Sequence, residues 1–332
     1  MFSRSFPRAG WLAGLTLIAA PVWAQTTLLN VSYDVTRELY KQINPAFVAQ
    51  WKAQKGQDLI INQSHGGSTK QAQSVAAGLA ADVVTMNQPP DIEGLVKERR
   101  VSPDWRKEFP YQAAPYTTTT VFIVRKGNPR KIQDWSDLVK PGVRVIVPNP
   151  KTSGNGRYTY LAAWGYALKQ GGDEAAARGF VKKLFANVPV LDAGGRGATT
   201  TFAQRNIGDV LVTFENESGL LAKEFGDDKF EVVYPSLSIE AAAPVAIVDR
   251  VVDKHGTREQ AKAYLNFLFT PAGQEIIAQQ GFRPRDKAVF ARHAKDFPAI
   301  PTFTVEDYLG GWNKVQAQHF ADGAVFDQII LR

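Results

Sequence analysis

Four short segments of the 332-residue chain combine glycine, serine, aspartate and asparagine, which are residue types that present small donors to a ligand. They are residues 33–36, 64–68, 149–156 and 192–197, and each precedes a stretch with helical spacing of apolar residues. Glycine lets the backbone turn its N–H groups toward a ligand, and each following helix start adds about half a positive charge. The hydroxyls of Ser68 and Ser153 add charge-assisted hydrogen bonds. Four such segments predict a site for an anion of charge about −2, without direct Lys or Arg contacts.

Helix capping is a competing explanation of the same segments. Ser, Asp and Asn are preferred N-cap residues, so each loop taken alone is better explained as a cap than as a ligand contact. Because four such loops occur in one chain, helix capping and ligand contact explain them about equally well. Composition and spacing therefore leave both open.

The elements that must position these loops alternate between strands and helices. Apolar strands are predicted at 28–32, 59–62, 143–147 and 188–191, each running into one of the four loops. This alternation predicts an α/β fold with mainly parallel sheets, in which ligands bind beyond the carboxyl ends of the strands. The β-rich runs 116–124 and 244–249 are typical of crossover strands between two lobes. We expect residues 25–115 and 250–332 to form a first lobe and 116–249 a second, with the ligand cleft between them.

The N-terminus has the pattern of a secretory signal peptide over residues 1–24. Arg4 and Arg8 precede an apolar run at 11–20, and residues 21–24 then place small residues at the positions that a signal peptidase requires. An anchor that is never cleaved is the alternative. The chain has no cysteine, which excludes lipid attachment at a cysteine and leaves stability to packing instead of disulfides.

Charge and motifs exclude several classes of function. Without residues 1–24 the chain loses two arginines and no acid from its 39 basic and 32 acidic residues. The remaining modest positive charge favours anionic partners in general, and no basic stripe with interleaved aromatics predicts nucleic-acid binding. No nucleophile elbow or P-loop is present, and the four histidines lack metal-ligand spacing. We expect no catalytic residues, metal or cofactor; a secreted hydrolase-like enzyme is the rival interpretation.

Seven segments of the chain resemble a known family. They read NVSYDVTREL (30–39), QSHGGS (63–68), VRKGNP (124–129), PNPKTSGN (148–155), GGRGAT (194–199), GDVL (208–211) and RPRD (283–286). Over nearly the whole chain after residue 24, the sequence resembles the periplasmic sulfate-binding and thiosulfate-binding proteins of bacterial ABC importers. The resemblance implies two α/β lobes that close on the ligand by hinge bending. It also implies a monomeric periplasmic receptor that delivers sulfate or thiosulfate to permease subunits.

Carried over position by position, the resemblance implies a set of anion contacts. Backbone N–H groups would donate from Asp34, Gly154, Asn155 and Gly195, and hydroxyl groups from Ser68 and Ser153. The Asp34 carboxylate is expected to face away from the anion and meet cationic neighbours. Three residues are expected to steady the loops without touching the anion: His65, Arg157 and Arg196.

Phe214 is a departure from the sulfate-specific pattern. Those members place a tryptophan at this position, whose indole N–H donates to the anion, whereas phenylalanine has no donor. Phe214, together with residues 152–155 and 194–201, looks more like the thiosulfate-binding relatives. A lost hydrogen bond to a charged group costs about 1.5–3 kcal/mol, so we expect weaker sulfate binding. Residues 64–68 and 283–286 look more like the sulfate branch. We therefore expect a receptor for both anions; a thiosulfate-preferring receptor and a receptor for another oxyanion, such as molybdate or phosphate, are the alternatives.

Overall fold

The computed structural model describes residues 26–226 and 228–331. The predicted signal peptide, residues 1–24, lies outside these residues. Among the helices of the described ranges, none is both long enough and apolar enough to cross a membrane.

The chain folds into three successive groups of elements. The first group contains β1 (Thr26–Tyr33), a 3-10 turn (Asp34–Thr36), α1 (Arg37–Lys55), β2 (Leu59–Gly66), α2 (Ser68–Ala76), β3 (Val83–Thr85), α3 (Pro89–Lys97), α4 (Trp105–Glu108) and α5 (Pro110–Ala113). The second contains β4 (Tyr116–Arg125), α6 (Trp135–Leu138), β5 (Val145–Pro148), α7 (Gly154–Lys169), α8 (Glu174–Ala186), β6 (Leu191–Asp192), α9 (Gly195–Ala203), β7 (Val210–Phe214), α10 (Asn216–Phe225), β8 (Phe230–Val233) and β9 (Ser238–Ala242). The third contains β10 (Val245–Ile247), α11 (Asp249–His255), α12 (Arg258–Phe267), α13 (Pro271–Gln279), β11 (Arg283–Pro284), α14 (Lys287–Arg292), a 3-10 turn (Ala294–Asp296), β12 (Thr302–Phe303), α15 (Val305–Leu309), α16 (Trp312–Val315), a π-helical turn (Gln316–Phe320) and α17 (Val325–Ile330).

The first lobe is built on a four-stranded sheet with the order β10-β3-β1-β2. Strands β1, β2 and β3 are parallel, and β10 joins β3 in the antiparallel sense. Helix α1 packs here because Leu39, Ile43 and Phe47, spaced four residues apart, form one buried face. The resulting core also includes Tyr264 of α12. This sheet confirms the predicted strand–loop–helix order.

The second lobe is built on a larger sheet with the order β12-β9-β4-β7-β5-β6, to which β8 and β11 are added alongside β4. Strands β5, β6 and β7 are parallel, but β4 runs antiparallel to β7, β8, β9 and β11. The sheet is therefore mixed, whereas the sequence predicted mainly parallel sheets. The predicted strand at 188–191 is also shorter, because only β6 pairs with β5. Two lobes of α/β construction confirm the predicted fold class.

Three connections cross between the lobes, one more than the sequence predicted. The first is β4, and the second is the turn from β9 in the larger sheet to β10 in the smaller one. The third runs from α13, which packs on α1, through β11 to β12 in the larger sheet. At the crossing, β4 lies between β9 and β11 and is hydrogen-bonded to both, so the three crossing segments form one antiparallel ribbon.

The C-terminal helices belong with the second lobe. Val305, Trp312, Phe326 and Ile329 join the second hydrophobic core, and α17 packs against α8. The expectation that all of 250–332 belongs with the first lobe is therefore wrong for this stretch. Short amphipathic helices must bury their apolar faces, but their spacing does not reveal which core receives them.

Candidate ligand-binding site

The predicted loops meet at the interface between the two lobes. Each follows the carboxyl end of a strand, where β1 leads to Asp34, β2 to Ser68, β5 to Ser153 and β6 to Gly195. The lobes are in close contact here: a methyl group built on Gly67 would lie 2.5 Å from the Thr152 carbonyl oxygen of the opposite lobe. It would also lie 2.7 Å from the Ala193 carbonyl oxygen. Only glycine at position 67 permits this approach.

Asp34 connects the two lobes through its carboxylate. Its Oδ2 accepts a hydrogen bond of 3.0 Å from the backbone N–H of Arg196, near the start of α9. Burial raises the pKa of Asp34 to about 6, although backbone hydrogen bonds, that from Arg196 first among them, oppose the rise. The carboxylate thus caps a helix of the opposite lobe, instead of pairing mainly with cationic side chains as the sequence comparison implied.

Ser68 is buried at the start of α2, and its hydroxyl is already used within the protein. Its Oγ donates to Asp91 Oδ2 at 2.5 Å and accepts from the Asn87 backbone N–H at 3.3 Å. Burial raises the pKa of Asp91, with the nearby Arg157 charge opposing the rise. This differs from the expectation that the Ser68 hydroxyl donates to an anion. As the first residue of α2, Ser68 has a backbone N–H with no intrahelical acceptor, so that group remains for a ligand.

The loop before α7 contains three of the residues expected to donate to the anion. Ser153 is the N-cap residue, and its Oγ accepts a 3.4 Å hydrogen bond from the Gly156 backbone N–H, which leaves the hydroxyl proton available. Gly154 and Asn155 are the first two helical residues, so their N–H groups also lack intrahelical acceptors. The Asn155 side chain donates to Thr213 Oγ1 at 2.9 Å, and its Nδ2 lies against Gly195, where an added Cβ would approach it to 2.9 Å.

Gly195 starts α9, so its backbone N–H has no intrahelical acceptor, while the next N–H, that of Arg196, donates to the Asp34 carboxylate. The α9 loop and the α7 loop are tied together in the second lobe, because Thr152 Oγ1 donates to the Ala193 carbonyl at 2.9 Å. The second-lobe donors at Ser153, Gly154, Asn155 and Gly195 therefore form one unit.

The three predicted supporting residues make contacts behind the loops. His65 Nδ1 lies 3.1 Å from the Tyr33 carbonyl oxygen, next to the turn that begins at Asp34. Arg157 is buried, and its Nε donates to the Pro150 carbonyl at 2.8 Å. The Arg196 guanidinium pairs with Glu224. Each of these contacts therefore joins a loop or a helix to a neighbouring segment of the chain.

Phe214 ends β7 and is completely buried in the second core. Its ring centroid lies 5.8 Å from that of Tyr158, one turn into α7. The position that matches the indole donor of the sulfate-specific pattern is therefore occupied by an apolar ring that packs on Tyr158 of α7.

Sequence reasoning missed three polar residues beside these loops: Asn87, Asp91 and Glu217. Asn87 follows β3 by two residues, so a search of every strand end could have found it. Glu217 is fully buried in α10, and burial raises its pKa to about 7, with the charge of Asp34 adding to the rise. Within 26–226 and 228–331, no group of His, Cys, Asp and Glu side chains is arranged to hold a metal.

Comparison with known proteins identifies the family. The model of the bacterial extracellular solute-binding proteins matches residues 29–283. The chain is 58% identical over 327 residues to the thiosulfate-binding protein of Pseudomonas aeruginosa, which covers 98% of each chain. It is 54% identical over 326 residues to the sulfate-binding protein of Escherichia coli, covering 97% of this chain and 99% of that one.

Solved structures agree with the fold. The sulfate-binding protein SubI from Mycobacterium tuberculosis H37Rv superimposes with a TM-score of 0.81 at 34% identity, over 89% of this chain and all of that one. A periplasmic thiamin-binding protein shares the fold at 17% identity, with a TM-score of 0.69 and coverage of 93% and 97%. The chain therefore belongs to the bacterial extracellular solute-binding proteins, in the group that contains the sulfate-binding and thiosulfate-binding proteins.

Proposed function

We propose that this protein is a periplasmic receptor that captures sulfate, and also thiosulfate, and delivers it to an ABC importer. The observation that carries the proposal is the meeting of helix starts from both lobes at one interface. The first lobe contributes Asp34 and Ser68, and the second contributes Ser153, Gly154 and Gly195. Such an arrangement suits a small, fully ionised tetrahedral anion.

The charge of the anion is balanced by dipoles in this proposal. Each helix start acts like about half a positive charge, so four of them offset a charge of roughly −2. Two arginines beside the loops are engaged with protein groups, Arg157 with the Pro150 carbonyl and Arg196 with Glu224. We infer binding and release without chemistry, as for a member of the solute-binding family.

Phe214 bears on the choice between the two sulfur anions. Without an indole N–H, the site offers sulfate one hydrogen bond fewer, while the apolar ring suits the larger and softer terminal sulfur of thiosulfate. A relative named for each anion is more than half identical to this chain. A thiosulfate-preferring receptor is therefore the second candidate, and a receptor for another tetrahedral oxyanion such as molybdate is the third.

Rejection of phosphate follows from the donors. Hydrogen phosphate keeps a proton at neutral pH, and a site made of N–H and O–H donors offers that proton no acceptor. Such unpaired groups are rejected strongly in buried sites. We expect phosphate to bind at least tenfold more weakly than sulfate.

The cellular setting is part of the same proposal. Residues 1–24 act as the signal peptide that directs export to the periplasm. The mature chain works as a monomer whose two lobes close on the anion and then dock on permease subunits in the inner membrane. It needs no cofactor.

Isothermal titration calorimetry of the mature chain with sulfate, thiosulfate, molybdate and phosphate tests the function. We expect sulfate and thiosulfate to bind, and phosphate to bind at least tenfold more weakly than sulfate. Binding of molybdate alone would select the third candidate, and failure of all four anions would refute the receptor function.

A further inference from the structure

Asn87 lies between two of the predicted ligand residues, one from each lobe. Its backbone N–H donates to Ser68 Oγ in the first lobe at 3.3 Å. Its side chain faces the second lobe, where a methyl group built on Gly154 would collide with Asn87 Oδ1. The Asn87 carboxamide therefore touches the first turn of α7 at the residue expected to donate to the anion.

The carboxamide of Asn87 is also incompletely paired. Asn87 is 3% exposed, and its Oδ1 has no hydrogen-bond partner in the described part of the chain. Buried polar side chains nearly always have a partner, so an unpaired group beside a ligand cleft indicates a contact that the chain itself does not supply. A carboxamide presents either an acceptor or two donors to the same neighbour after a half turn about its last bond.

We propose that the Asn87 side chain contacts the bound anion and is a specificity-determining residue of this receptor. The inference rests on the proposed function, because it assumes that an oxyanion occupies the interface. After the half turn that exchanges Oδ1 and Nδ2, the NH₂ group of Asn87 donates to a fully ionised oxyanion. It does so without adding charge to a site that balances charge with dipoles. Its position opposite Gly154 means that the contact forms only when the lobes are closed.

A carboxylate at the same position would reverse the preference. It would repel sulfate and thiosulfate, which carry no proton at neutral pH. It would also accept the proton of hydrogen phosphate, which donors alone leave unpaired. The Asn87→Asp variant keeps the shape of the side chain, so it changes charge and acceptor capacity with little change in volume.

The test is calorimetry of the parent protein, Asn87→Asp and Asn87→Ala with sulfate, thiosulfate and phosphate. Asn266→Asp, on the exposed side of α12, makes the same change of charge and serves as the matched control. We expect Asn87→Ala to weaken sulfate binding about tenfold or more, as the loss of one hydrogen bond to a charged group does. We expect Asn87→Asp to weaken sulfate binding more than about a hundredfold. The ratio of sulfate affinity to phosphate affinity should be at least about tenfold lower in Asn87→Asp than in Asn87→Ala. Thermal unfolding of each variant shows whether it is folded. If Asn87→Asp does not fold, the sulfate affinity of Asn87→Ala alone tests the inference.

The outcomes separate this inference from the proposed function. A parent protein that binds none of the sulfur anions refutes the function and the inference together. A parent that binds them, with both Asn87 variants within threefold of it, overturns the inference alone. Equal losses for all anions in both variants also overturn it, because a residue that only packs the interface does not change the ratio between anions.

Discussion

Glu217 provides a test of the electrostatics at the interface through the pH dependence of folding. The side chain is fully buried; its Oε2 accepts a 2.5 Å hydrogen bond from Thr199 Oγ1, and its Oε1 has no partner in the described chain. Burial raises its pKa from 4.5 to about 7, the Thr199 hydrogen bond opposes the rise, and the negative charge of Asp34 increases it.

The sign and size of the effect follow from these pKa values. Below pH 4.5 the carboxyl is protonated in both the folded and the unfolded chain, so it gives no pH dependence. Between pH 4.5 and about 7 the unfolded chain releases this proton while the folded chain holds it, so the free energy of unfolding falls as the pH rises. The full difference corresponds to about 3 kcal/mol, of which about 2 kcal/mol falls between about pH 5 and pH 8.

Urea unfolding of the parent and of Glu217→Gln at these two pH values measures the effect. We expect the parent to lose about 2 kcal/mol more than the variant between pH 5 and pH 8, because the neutral amide cannot titrate. Glu98→Gln, which alters an exposed carboxyl, should follow the parent. Any constant effect of the amide on packing cancels in the comparison. Identical pH dependence in the parent and in Glu217→Gln would refute the reasoning.

Three further predictions address the ligand, the closure and the hinge. Phe214→Trp should raise sulfate affinity about tenfold relative to thiosulfate affinity by restoring an indole donor. Calorimetry measures this ratio, with Phe214→Leu as the donor-free control, and equal ratios in the two variants would contradict the prediction. Gly67→Ala should weaken sulfate binding more than about a hundredfold by pushing on backbone carbonyls of the opposite lobe, whereas Gly94→Ala, with open space around it, should be neutral. Small-angle scattering should then show no compaction of Gly67→Ala with sulfate, and normal compaction would count against the closure argument. Arg283→Gln should lower the free energy of unfolding by about 3–5 kcal/mol, because it removes the cation that pairs with the buried Glu215 carboxylate through two 2.7 Å contacts. In urea unfolding, the double variant Arg283→Gln with Glu215→Gln should recover part of the lost free energy of unfolding. A double variant as unstable as Arg283→Gln would contradict the prediction.

The four loops and the helices that follow them could be predicted from sequence because their signals are local. Ser153 precedes a glycine and a helical repeat, and the structure makes it the N-cap of α7 as such a pattern requires. The same reasoning applies to Gly195 at the start of α9. Helix capping and ligand binding were competing explanations, and at Ser153 the structure combines a cap with a hydroxyl proton left free.

Contacts between distant segments could not be predicted in the same way. The Ser68 hydroxyl donates to Asp91, 23 residues later, and the Asp34 carboxylate accepts from Arg196, 162 residues later. Periodicity and residue type contain no information on which partner a buried polar group finds. The packing of Trp312 on the second lobe was missed for a similar reason, since an apolar helix face fits either core equally well.

The ribbon formed by β11, β4 and β9 constrains how the two halves of the molecule separate. A single extended strand twists as easily as it bends. Three strands hydrogen-bonded edge to edge resist twisting about the strand axis and shear within the plane of the ribbon. The easiest remaining deformation is a bend perpendicular to the ribbon. We therefore expect the two lobes to separate by rotation about one axis, so that a ligand enters and leaves the cleft through the same opening.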